Sequence, residues 1–94
     1  MVSLTLGMRK FVLRRLGEEV RKRRENQRLS QKTLAFKANL HMNVIGRIER
    51  GSYNPTILTL LSIASALDAS LIDLLAHAKR QTPQIILLNH LQLE

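Results

Sequence analysis

The feature that most constrains the fold is a succession of five short apolar patterns with helical spacing, all between residues 13 and 78. In the first, which covers residues 13–27, Leu13, Leu16 and Val20 follow one another at spacings of three and four. This spacing is typical of an amphipathic helix whose other face carries charged residues. Each pattern is followed by residues that end one helix or begin the next, so an all-α bundle of five helices is expected.

The second and third helices are predicted from their caps. Ser30 is a suitable N-cap for a helix that runs to residue 38, where Asn39 can adopt the left-handed conformation that stops it. His41 opens a third helix over about residues 42–50, and Gly51 serves as its C-cap. The expected inward positions are Leu34, Ala35, Ala38, Val44, Ile45 and Ile48.

Two further helices complete the predicted bundle. Pro55 suits the first turn of the fourth, and Ser70 is a suitable N-cap for the fifth. The buried face of the fourth is expected at Ile57, Leu60, Leu61, Ala64 and Leu67, and that of the fifth at Leu71, Leu74 and Leu75.

The two ends of the chain lie outside this pattern. Residues 1–12 show little helical patterning and are predicted to form a short arm, and residues 13–78 form the domain. Residues 79–94 form an apolar tail whose spacing fits either a strand or a short helix, notably at Ile85 and Leu87. Such a tail packs on its own bundle or against a second subunit, and pairing with a second subunit is expected.

Positive charge is concentrated in one half of the chain. Lys and Arg number 15 against 7 Asp and Glu, and residues 9–50 hold thirteen of these bases and only four of the acids. A surface of this kind attracts a polyanion such as nucleic acid, although an excess of charge also serves solubility.

The residue types argue against an enzyme or a metal protein. The chain has no cysteine, and His41, His77 and His90 lack the spacing of metal ligands. It shows no Ser–His–acid set and no glycine-rich phosphate loop, so neither a cofactor nor a metal is expected. Its apolar runs are far shorter than the ~20 residues of a membrane span. A cytoplasmic protein without a membrane partner is therefore expected.

An ordered set of motifs covers much of the predicted bundle. They are Leu16-Gly17-x-x-Val20-Arg21-x-x-Arg24, Leu29-Ser30-Gln31-x-x-Leu34-Ala35, Val44-Ile45-x-Arg47-Ile48-Glu49-Arg50-Gly51, Asn54-Pro55-Thr56, Leu60-x-x-Ile63-Ala64-x-Ala66-Leu67 and Ser70-Leu71-x-x-Leu74-Leu75. In this order they resemble the Cro/C1-type (XRE-like) helix-turn-helix family of phage repressors and bacterial regulators. The resemblance implies a lambda-repressor-like DNA-binding domain whose third helix, about residues 42–50, enters the major groove.

Residue roles follow from the resemblance together with helical spacing. The expected base contacts are Gln31, Met42, Asn43 and Arg47, because Asn bonds adenine and Arg bonds guanine in two-point contacts. The expected phosphate contacts are Ser30, Lys32, Lys37, Arg50, Ser52, Tyr53 and Asn54. Arg24 and Glu49 occupy the family positions of a structural ion pair. Where relatives often carry glycine this chain has Arg28 and Asn39. Gly46, which helical spacing places outward, stands where relatives often have a small polar residue facing DNA.

The function implied is that of a sequence-specific transcription regulator, a repressor or autoregulator associated with the nucleoid. One such domain makes few base contacts, so a homodimer on a pseudo-palindromic operator is expected. Its interface is predicted at Leu71, Leu74, Leu75, Ile85 and Leu87. Three alternatives stay open: an antitoxin that binds a toxin, the controller of a restriction–modification operon, and a bridge to machinery such as RNA polymerase.

Overall fold

A computed structural model describes residues 5–80, and this part of the chain is all-α, as predicted. The five helices are α1 Leu6–Asn26, α2 Gln31–Ala38, α3 Met42–Glu49, α4 Ile57–Ala66 and α5 Leu71–Arg80. No single helix in the described range is both long and apolar enough to cross a membrane. Ile57–Ala66 and Leu71–Ala78 together pass that test by length and composition, with a bend of 107° between them.

Helix starts are fixed by side chains that accept a hydrogen bond from the first turn. The N-caps of the first four helices are Thr5, Ser30, His41 and Thr56. Ser30 and His41 stand where the sequence predicts them. Pro55 does not lie in the first turn of α4 as predicted, because Thr56 is the cap and the helix begins at Ile57.

The start of the first helix corrects the predicted arm. The sequence predicts a helix from Leu13, whereas α1 begins at Leu6, so residues 6–12 are helical. The Thr5 hydroxyl accepts a hydrogen bond from the Met8 amide at 3.1 Å and so caps an earlier turn. Residues 1–4 lie outside the described part of the chain, as do Ile85 and Leu87 in the predicted tail.

The core lies where all five helices meet. Its largest fully buried side chains are Val20, Leu34, Ile45, Ile48, Ile63, Leu67 and Leu74. The prediction that Ile57 and Leu61 of α4 are buried is wrong, since Ile57 is 58% exposed and Leu61 is 45% exposed. Ile63 supplies the inward contact instead, because the stripe of α4 runs through Leu60, Ile63 and Ala64.

The fifth helix begins with a reciprocal cap. The Ser70 amide donates to Asp73 Oδ2 at 2.9 Å, and the Asp73 amide donates to Ser70 Oγ at 3.0 Å. The backbone hydrogen bond from Ser70, followed by that from its side chain, lowers the pKa of Asp73. The contribution of this carboxylate to stability is therefore present above its unfolded pKa and is lost as the pH falls through the lower folded pKa.

The three residues of α5 that the sequence predicts at a dimer interface are buried to different extents in the structure. Leu74 is 0% exposed and belongs to the core of its own chain, so its predicted place at a dimer interface is corrected. Leu71 and Leu75 are half-buried against the same core. The outward apolar residue of this helix is Ile72, which is 77% exposed.

A close approach of two helices depends on Gly17. A Cβ atom at this position would meet the Ile48 carbonyl oxygen and would lie 2.7 Å from the Glu49 carbonyl oxygen. Both oxygens belong to the end of α3, so the bare backbone of α1 lets the two helices touch.

We expect Gly17→Ala to destabilise the fold by about 1–3 kcal/mol, because the added methyl group must push α1 away from α3. The measurement is urea unfolding followed by circular dichroism. Gly7→Ala is the matched control on the same helix, since the nearest atom to its Cβ is Thr5 Oγ1 at 3.9 Å. Equal stability of the two variants would contradict this account of the contact.

Candidate nucleic-acid interface

The turn between α2 and α3 positions the third helix. Asn39 has φ 57° and ψ 45°, the left-handed conformation that the sequence predicts for it. Its amide donates to the carbonyl oxygens of Ala35 and Phe36, which satisfies the end of α2. Arg28, before α2, also has φ 57°. The two positions where the family resemblance implies glycine therefore adopt the conformation that glycine tolerates most easily.

The outward face of α3 gathers the four predicted base-contacting residues. Ile45 and Ile48 are buried beneath the helix, and Met42, Asn43 and Arg47 are exposed. One surface depression, termed here the α3 face, is lined by Gln31, Met42, Asn43, Gly46, Arg47 and Arg50. The structure thus brings polar and cationic side chains together on one accessible surface.

Gly46 differs from its expected place on this surface. The sequence places it outward, but it is buried, and an added Cβ would lie 3.2 Å from Arg50 Nη1 and 3.5 Å from Gln31 Oε1. The side chains of Arg50 and Gln31 therefore converge over the helix backbone, and Gly46 forms the floor of the α3 face.

Arg47 is held by the loop that follows α3. Its guanidinium carbon lies 5.0 Å from the centre of the Tyr53 ring, a cation–π arrangement. Its carbonyl oxygen accepts hydrogen bonds from the Ser52 amide at 3.0 Å and the Ser52 hydroxyl at 3.2 Å. Sequence reasoning predicts Ser52 and Tyr53 only as phosphate contacts. Their contacts with Arg47 are not predictable from the sequence, because an irregular loop has no periodicity that would place the Tyr53 ring beside the Arg47 guanidinium.

Arg24 and Glu49 form the ion pair that the resemblance implied. Arg24 Nε donates to Glu49 Oε2 at 2.7 Å, and Arg24 Nη2 donates to Glu49 Oε1 at 3.0 Å. Only 11% of the Arg24 side chain and 3% of the Glu49 side chain are exposed. Hydrogen bonding to the Glu49 carboxylate, which accepts from Arg24, raises the pKa of Arg24. The pair ties α1 to the end of α3, while Arg24 Nη1 also donates to the Leu29 carbonyl oxygen at 2.7 Å.

Gln31 connects this ion pair to the surface. Its Nε2 donates to Glu49 Oε1 at 3.0 Å, and its side chain also lines the α3 face. Its amide is therefore oriented from within the protein. A glutamine fixed in this way presents its carbonyl oxygen without first having to lose rotational freedom.

The remaining predicted phosphate contacts are scattered. Ser30 uses its hydroxyl in the cap of α2, accepting from the Thr33 amide at 3.0 Å. Lys32 is exposed on α2. Lys37 lines a different depression together with Leu58 and Leu61 of α4, so the structure does not bring it together with Arg47. Asn54 lies in a groove beside α1, with Tyr53 and Ser52.

Comparison with known proteins gives consistent matches. A family model described as helix-turn-helix matches residues 20–74. The chain is 43% identical over 60 residues to control protein C.SmaI of Serratia marcescens, a match that covers 64% of this chain and 71% of that protein. It is 40% identical over 52 residues to an immunity repressor protein of Bacillus phage phi105, covering 55% of this chain and 36% of the repressor.

A solved structure with a similar fold is the restriction–modification controller protein C.AhdI from Aeromonas hydrophila. The TM-score is 0.65 and the sequence identity 37%, and the match covers 66% of this chain and 94% of the controller. The matched segment thus spans most of each controller protein but only about a third of the phage repressor.

Proposed function

This chain belongs to the helix-turn-helix family whose model matches residues 20–74, and we propose that it regulates transcription by placing α3 in the major groove of an operator. The family match and the regulator relatives confirm the prediction of a DNA-binding transcription regulator rather than an enzyme. The observation that carries the finer proposal is the α3 face, where exposed Asn43 and Arg47 and half-buried Gln31 line one depression.

The chemistry of this face suits direct contacts with base edges. The Asn43 amide can pair with N6 and N7 of adenine, and the Arg47 guanidinium can pair with O6 and N7 of guanine. Met42 is 46% exposed and offers an apolar surface to a thymine methyl group. Arg50, Ser52 and Lys32 supply phosphate contacts, which set the position of α3 without themselves selecting a sequence.

A homodimer follows from the small number of base contacts in one domain. Two copies related by a two-fold axis would occupy half-sites about one helical turn apart. Exposed apolar side chains on two helices support such an interface, namely Ile57, Leu58 and Leu61 on α4 and Ile72 on α5. We propose that these residues replace Leu74 in the interface, alongside Leu71, Leu75 and the tail.

We expect Ile72→Glu to convert the dimer to a monomer, because a carboxylate would lose its hydration in an apolar interface. Sedimentation velocity at matched protein concentrations measures this. Phe36→Glu is the control, since Phe36 on α2 is also a largely exposed apolar side chain, 85% against 77% for Ile72. If Ile72→Glu sediments as wild type while Phe36→Glu dissociates, the interface lies on α2 instead.

A controller of a restriction–modification operon is the second candidate for the biological role. The similarity to C.SmaI and C.AhdI over most of their length favours it, whereas the match to the phage repressor is confined to a third of that protein. A toxin or RNA polymerase as partner stays a prediction that co-purification would test. Either role places the protein with DNA in the cytoplasm, at the nucleoid.

Titration onto the DNA upstream of its own coding sequence tests the proposed function. We expect binding that depends on sequence and a protected region containing two half-sites, because autoregulation requires an operator there. A shuffled duplex of equal length, at the same salt concentration, is the control. Equal affinity for the two duplexes would contradict operator recognition at that promoter.

A further inference from the structure

The first three turns of α1 carry basic side chains that the proposed function does not yet use. Arg9, Lys10 and Arg14 are exposed on this helix, and they precede the residues 20–74 matched by the family model. Together with Arg50 they are termed here the basic ridge. These four side chains come from two separate elements, the start of α1 and the end of α3.

The basic ridge is assembled by a close backbone contact. Gly51 has φ +73°, and a Cβ atom on it would lie 2.9 Å from the Arg14 Cα and 3.0 Å from the Arg14 amide nitrogen. The start of α1 is therefore pressed against the turn that follows α3. As a result, Lys10, Arg14, Arg50, Gly51 and Ser52 line a single depression.

Arg50 makes the basic ridge continuous with the α3 face. It lines the depression that contains Asn43 and Arg47, and it also lines the one that contains Lys10 and Arg14. Beyond it, a groove is lined by Leu6, Arg9, Lys10, Leu13, Gly51, Ser52, Tyr53 and Asn54. The α3 face thus continues through these depressions past the loop to the beginning of α1.

The charges of the basic ridge are not neutralised within the described range. Four other arginines of α1 have carboxylate partners, in the pairs Arg15–Glu18, Arg21–Glu25, Arg23–Glu19 and Arg24–Glu49. By contrast, no ion pair joins Arg9, Lys10, Arg14 or Arg50 to any residue between 5 and 80. Uncompensated cations from two elements around one depression are suited to a phosphate group.

We infer that the basic ridge binds the sugar–phosphate backbone next to the half-site that α3 occupies, and so extends the DNA contact along α1. This inference rests on the proposed function, because it assumes that the α3 face lies in the groove. Lys10, Arg14 and Arg50 contact phosphates, while Leu6 and Leu13 in the adjoining groove offer apolar contact to deoxyribose. Contacts of this kind add affinity without selecting bases.

The salt dependence of binding tests the inference, because each phosphate contact releases counterions. For each of the single variants Lys10→Gln and Arg14→Gln, we expect the slope of log binding constant against log salt concentration to become shallower by about 0.9 per protomer. Affinity for operator and for unrelated duplex should fall by the same factor. Lys22→Gln is the matched control, because Lys22 is also exposed on α1 and has no ion pair with a described residue.

The outcomes separate this inference from the proposed function. If Lys10→Gln, Arg14→Gln and Lys22→Gln all change the slope equally, the effect is one of net charge and the basic ridge is not a contact. If the slope of neither Lys10→Gln nor Arg14→Gln changes, the inference is overturned as well. A wild-type chain that does not prefer operator over unrelated duplex would contradict the proposed function, whatever the slopes show.

Discussion

Arg47→Ala is expected to reduce sharply the preference for operator over unrelated DNA. A two-point contact between arginine and guanine is worth about 1–3 kcal/mol of discrimination, and a dimer makes it twice, so the variant loses roughly 2–6 kcal/mol of specificity. The side chain is exposed on the α3 face and is supported by the Tyr53 ring, so its removal leaves the core intact. Fluorescence anisotropy with operator and shuffled duplexes at one salt concentration measures the difference.

Arg47→Lys is the matched variant for this prediction. Lysine keeps the positive charge but has no planar fork, so we expect the preference to fall nearly as far as in Arg47→Ala. Binding to shuffled duplex should stay closer to that of wild type, because the phosphate attraction is retained. If Arg47→Ala kept the wild-type preference, α3 would not select its site through this residue.

Glu49→Ala is expected to destabilise the fold by about 3–5 kcal/mol, because it leaves the Arg24 guanidinium buried without its partner. Both side chains are nearly inaccessible, and Glu49 also accepts the hydrogen bond that orients Gln31. We therefore expect weaker DNA binding even at temperatures where the variant stays folded. Urea unfolding monitored by circular dichroism gives the free energy of unfolding.

Two further variants isolate the contribution of burial. Arg21 and Glu25 form an ion pair at 3.2 Å on the exposed side of α1, so Glu25→Ala should cost less than about 1 kcal/mol. The double variant Arg24→Met with Glu49→Leu should recover much of the stability lost in Glu49→Ala, because no buried charge remains unpaired. If Glu49→Ala were no more harmful than Glu25→Ala, the Arg24–Glu49 pair would not hold α1 to α3.

Local chemistry made much of the fold predictable. The second helix begins after Ser30 and ends before Asn39, as the sequence predicts. An N-cap and a left-handed C-cap each depend on a single residue, so they can be read from the sequence. The sequence does not predict the true start of α1, because the first two turns after its N-cap Thr5 show no clear apolar stripe. Ile57 and Leu61 were wrongly placed inside, because helical spacing alone does not decide which of two adjacent apolar faces is buried.

The candidate site also contains residues that helical spacing predicts and contacts that only the tertiary structure shows. Once Ile45 and Ile48 are turned inward, helical spacing places Asn43 and Arg47 outward. The Arg24–Glu49 pair joins residues 25 positions apart, so only the family resemblance pointed to it. Contacts of the loop and of α1, such as Tyr53 on Arg47 and Gly51 against Arg14, depend on tertiary geometry and have no signature in the sequence.

The most direct test of sequence-specific binding by a symmetric dimer is selection of bound DNA from random duplexes at a fixed salt concentration. We predict enrichment of an inverted repeat whose half-sites are centred about one helical turn apart, with a guanine in each half-site whose enrichment disappears in Arg47→Ala. Recovery of duplexes with no common motif would contradict operator recognition. Enrichment of a single motif without two-fold symmetry would contradict the dimer.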